Sequence, residues 1–232
     1  MARSCRKRQQ PQTTGRSHNT ASPAQAPPIP STVWPPTETT QPDTTWPTAL
    51  LDQIIEALTN PGEQVALLPW PSHHTEEPET ALSRAAETVQ QLGRHPHLAS
   101  PGATSTHDEP QSPLPTVDLV LTHCPPAASN EAACHNFGTL AAELLRPDGV
   151  VAVLTHTDTT GGTLTDPTGP IVTAAQDADL LYLQHVVLLL APIHDGTLTP
   201  AEQATATGTA PPAAHHRIHA DLLLFTNPTT QT

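Results

Sequence analysis

Cysteine and histidine are the side chains of this sequence with the most chemistry to offer, and several stand side by side. His123-Cys124 closes an apolar run, Cys134-His135 follows it, and His215-His216 stands shortly before His219. A cysteine near a histidine can act as nucleophile and base, and His123, His135 and His156 are the candidate bases for Cys124. Such a thiol ionises only in electropositive surroundings, which this chain hardly supplies, so a buried structural thiol is the simpler reading. The same residues could ligate zinc. Neighbours on a strand point to opposite faces, however, so His123 and Cys124 are poorly placed to share one ion. Neither cluster has the spacing of a structural zinc site, and no metal is expected. The 14 histidines leave room for pH sensitivity without specifying a switch.

The elements around these residues can be read from periodicity. Val117 to Thr122 and Val150 to Thr155 are short, branched and apolar on both faces, which suits parallel strands covered on each side. A helix ending near Leu145 and a Pro147-Asp148-Gly149 turn connect them. Cys124-Pro125-Pro126 therefore stands at the carboxyl end of a buried strand, where open α/β sheets bind ligands. Upstream, Thr48 to Leu58 repeats Leu50, Leu51, Ile54, Ile55 and Leu58 at helical spacing, and Asn60-Pro61-Gly62 stops it. Gln64 to Trp70 reads as a strand and Glu79 to Leu92 as a helix closed by Gly93. A further helix is expected from Pro170 to Asp179, then strands over Tyr182 to Leu190 and Ile218 to Thr226. Between Leu92 and Val117 no strand is expected, because His107-Asp108-Glu109 lies in a Pro/Ser/Thr-rich setting.

Composition and charge limit the function classes. The 232 residues include 28 prolines and only six aromatic residues. Residues 1–45 are too poor in large apolar side chains to order themselves. They are expected to be a mostly disordered tail before one domain over 46–226, with 227–232 trailing. Arg3, Arg6, Lys7, Arg8 and Arg16 are five of the nine basic residues. From residue 17 onward four basic residues face 22 acidic ones, a formal charge of −18 with His neutral. Nucleic-acid binders take most of their affinity from Lys and Arg on phosphates, so DNA is at best a weak partner of this body. The basic tail reads most simply as solubilising. It lacks the apolar core of a secretory signal. The longest apolar run, Val186 to Pro192, is too short to span a bilayer. No membrane role and a cytoplasmic location are expected, and the odd cysteine count gives no disulfide framework.

The strand ending Cys124-Pro125-Pro126-Ala127 and the later Leu145-Arg146-Pro147-Asp148-Gly149 resemble two motifs of the S-adenosylmethionine-dependent DNA amino-methyltransferases. These carry (Asp/Asn/Ser)-Pro-Pro-(Tyr/Phe/Trp) at a strand end and Leu-Arg-Pro-Gly-Gly before a later strand. The resemblance covers roughly residues 32 to 226. Leu164 to Pro167, Leu181 to Val187 and Arg217 to Phe225 follow in the order of actinobacterial members. It implies a Rossmann-like class I methyltransferase fold: a three-layer α/β/α sandwich whose mostly parallel sheet ends in an antiparallel C-terminal hairpin. Here that fold would be partly truncated in the middle.

The same resemblance implies a damaged site. The family's cofactor turn, Asp-Pro-Phe/Met-Cys/Ala-Gly-x-Gly, aligns with Leu68-Pro69-Trp70-Pro71-Ser72-His73. The acidic position is Leu68, and no glycine allows close backbone approach between Gly62 and Gly93. The family's His-Pro-x-Lys segment aligns with Trp46-Pro47-Thr48-Ala49, where only the proline remains. At the catalytic loop Cys124 replaces an oxygen acceptor, and thiols accept weakly. Ala127 replaces the ring that stacks on an extruded base, a loss of about 1–3 kcal/mol. The implied cofactor is S-adenosylmethionine, or none. The chain is expected to be a degenerate methyltransferase-like binding module, with an intact methyltransferase relative or another protein as its partner. An active N-methyltransferase with a remodelled pocket and a decayed gene product are the alternatives.

Overall fold

In the computed structural model the described residues are 32–36, 46, 48–71, 79–98, 116–159, 162–194, 197–198 and 217–228. In chain order they form β1 (Val33–Trp34), α1 (Thr48–Leu58), β2 (Gln64–Leu67), α2 (Glu79–Gln91) and β3 (His95–Leu98). Then come β4 (Val117–His123), α3 (Glu131–Leu144), β5 (Leu145–Thr155), α4 (Thr168–Asp177) and β6 (Leu181–Leu189). β7 (Ile193–His194), β8 (Thr197–Leu198) and β9 (His219–Thr226) complete the series.

Seven strands make one sheet in the order β1-β6-β9-β5-β4-β2-β3. β9 runs antiparallel to both β5 and β6, and every other pairing within this sheet is parallel. Side chains on the two faces make two cores. Phe137, Ala141, Ile171 and Ala175 of α3 and α4 cover one face, against Val120, Val151, Val153 and Phe225. Leu51, Ile54 and Ile55 of α1 and Val89 of α2 cover the other, against Leu119, Leu121, Ala152 and Leu222. Alternation along each strand sends successive residues to opposite cores, which is why residues 119–121 of β4 and 150–154 of β5 are apolar throughout. This is the expected three-layer, mostly parallel Rossmann-like arrangement, with its antiparallel C-terminal hairpin.

Three local details differ from the sequence reading. First, the stretch between Leu92 and Val117 does contain a strand, β3, which pairs with β2 from Gln64↔His95 to Leu67↔Leu98. Its Pro96 argues against a central strand, but β3 is the sheet's edge, where a missing N–H breaks no ladder. Second, Leu145 to Gly149 is more than a turn. Leu145 already pairs with Val117, and the next partners are Leu119↔Val150, so the segment bulges. Asp148 takes φ 60° there and donates its N–H to Asn227 O at 2.8 Å. A Cβ on Gly149 would stand 2.7 Å from Leu145 Cδ1, so any larger residue there would have to move that side chain. Third, the stretch expected as tail contributes β1, whose register is Val33↔Val187 and Trp34↔Leu188.

Polar side chains tie the sheet at its amino edge. Asp118 accepts from Gln64 N at 2.7 Å and also from Arg146 Nε, joining β2, β4 and β5. The described residues all belong to one compact unit spanning 31–232. No helix among them is long and apolar enough to cross a membrane. Ser72, His73, His107 to Glu109, His215 and His216 lie outside the described residues.

Candidate functional site

The sheet order reverses between β2 and β4, so the crevice outside their carboxyl ends is where this class of sheet binds ligands. The segments that follow β2 and β4 meet there. Leu68 continues the ladder beyond β2, donating its N–H to Leu121 O at 2.9 Å, and is fully buried. Past β4, Pro125 precedes a single 3-10 turn over Pro126–Ala128. The Trp70 indole N–H donates to Ala128 O of that turn at 2.9 Å. Its ring stacks on Phe137 of α3, centroids 5.0 Å apart and planes 28° from parallel. Leu68, Trp70, Cys124, Ala128 and Phe137 belong to one buried cluster.

The local sequence explains this packing. Asn130 caps α3 by accepting from Ala133 N at 3.0 Å, so the helix starts immediately after the loop and carries Phe137 under it. Ser129 Oγ donates to Pro126 O at 2.7 Å and tightens the turn. Gly138 then lets α3 pass close to α4, because a Cβ there would stand 2.5 Å from Ala174 O. Two aromatic rings in this packing contribute roughly 0.5–1.5 kcal/mol beyond their burial.

Cys124 is buried within this cluster, with Sγ 3.6 Å from Pro125 O and its own carbonyl accepting from Thr155 Oγ1 at 2.8 Å. Burial pushes its thiol far up, and Cys134 adds to the rise; the Thr155 hydroxyl offsets part of it. Burial holds Cys134 at about 11. Neither thiol ionises near neutrality, so the nucleophile reading of Cys124 fails on its protonation state. It fails on geometry too. His123 and His156 alternate to the α1 side of the sheet, while Cys124 packs on the α3 side. His135 is exposed on α3. Among the described residues no three His, Cys, Asp or Glu side chains are disposed to hold a metal ion.

A second polar group was not evident in the sequence. His123 and His156 lie side by side, ring centroids 6.4 Å apart and planes 21° from parallel. Burial lowers both pKa values to about 4, and each is further lowered by Arg217. His123 is also lowered by His156, whereas Asp158 and Asp221 pull His156 the other way. The signal was positional: one histidine ends β4 and the other follows β5, its parallel neighbour. On the α3 side, buried Asp221 holds His185 Nε2 at 2.8 Å, and Tyr182 packs edge-on against Phe225.

No family model matches the sequence, and no curated protein matches it. Among solved structures the chain is similar to TrmN from Thermus thermophilus, at 15% identity and TM-score 0.44, over 80% of this chain and 50% of that one. It is also similar to the N-methyltransferase NodS from Bradyrhizobium japonicum WM9, at 14% and 0.41, over 78% and 94%. A third is a SAM-dependent methyltransferase from Methanosarcina mazei, at 9% and 0.40, over 75% and 97%. The chain thus spans half the length of the Thermus protein. The fold rests on the strand order described above.

Proposed function

We propose that this chain is a methyltransferase-fold domain, derived from the DNA amino-methyltransferases, whose cofactor crevice is filled by its own side chains. Its role is then binding and not methyl transfer. One observation carries this reading: the Trp70 indole is held by Ala128 O and stacked on Phe137, in the crevice at the switch point. Leu68, buried beneath, offers nothing to an amino-acid ammonium group. The motifs that support the descent are Cys124-Pro125-Pro126, at the carboxyl end of β4, and Leu145 to Gly149, opening β5.

Magnitudes decide against a cofactor that simply displaces Trp70. Removing a large aromatic side chain from a core costs roughly 3–5 kcal/mol. At about 1.4 kcal/mol per tenfold, expelling it would weaken any S-adenosylmethionine affinity by roughly two to three and a half orders of magnitude. The partner would be a protein, an intact methyltransferase relative among them, in a cytoplasmic setting; the acidic body disfavours DNA.

The test is to reopen the crevice. The double variant Leu68→Asp, Trp70→Gly should acquire S-adenosylhomocysteine binding that the unaltered chain lacks. Equal binding by both chains would show that the crevice was never closed and would favour an active enzyme with a remodelled pocket.

A further inference from the structure

We draw no further inference here: the strongest candidate, the exposed apolar patch of Leu181, Tyr182 and Leu183 at the start of β6, lies before the two residues of that strand that pair with β1, and nothing in the structure shows what covers it.

Discussion

At Trp70 three requirements coincide. Its ring stacks on Phe137, its N–H donates to Ala128 O, and its side chain is buried in the core cluster past the end of β2. Trp70→Ala should therefore lower unfolding free energy by roughly 3–5 kcal/mol in urea titration; a loss below about 1 kcal/mol would place the ring outside the core. Cys124 should be inert in the native chain, since burial keeps its thiol protonated. A thiol-specific reagent should modify it only as fast as the fold opens, and rapid native modification would contradict the buried placement. The sequence, through its resemblance, implies that Leu68 and Trp70 do not serve a methionine cofactor. It could not show what Trp70 does instead, because Ala128 lies 58 residues away and only the fold brings them together.

Elements were legible wherever hydrophobic periodicity was long and uninterrupted. Thr48–Leu58 has the bounds its spacing predicts, and β4 is one residue longer than expected because His123 still pairs with Leu154. β3 was hidden because four residues with an internal proline carry almost no periodic signal, and only its edge position makes them a strand. The bulge opening β5 was hidden for a related reason. Pro147-Asp148-Gly149 has turn chemistry, and pairing across it at Leu145↔Val117 depends on tertiary contact. Helix packing gives a sign-resolved test at this scale. Gly138→Ala would push a Cβ to 2.5 Å from Ala174 O and should cost roughly 1–3 kcal/mol. Gly169→Ala, on α4 with open space around it, should stabilise by about 0.5–1 kcal/mol. Paired thermal melts of the two variants check both signs, and equal effects would mean that α3 and α4 do not meet at Gly138.

For the molecule as a whole, charge and burial set the response to acid. His123 and His156 have folded pKa values of about 4 against an ordinary 6.5. Between those values the unfolded chain binds more protons than the folded one, so stability falls as pH falls. Their contribution is fully present above about pH 6.5 and lost as pH drops towards about 4. Urea midpoints across that window should show the decline, and Gln at both positions should flatten it. A slope unchanged in the double variant would mean that neither ring is buried neutral. The fold class was legible in the doubly apolar strands and the resemblance of two motifs, whereas the histidine pair required the strand register. The most direct test of a closed crevice is calorimetric titration of the full chain with S-adenosylmethionine and S-adenosylhomocysteine, beside a thermal melt. A cooperative melt with no binding heat from either ligand is predicted. Saturable binding in the micromolar range would contradict the closure and return the chain to the working methyltransferases.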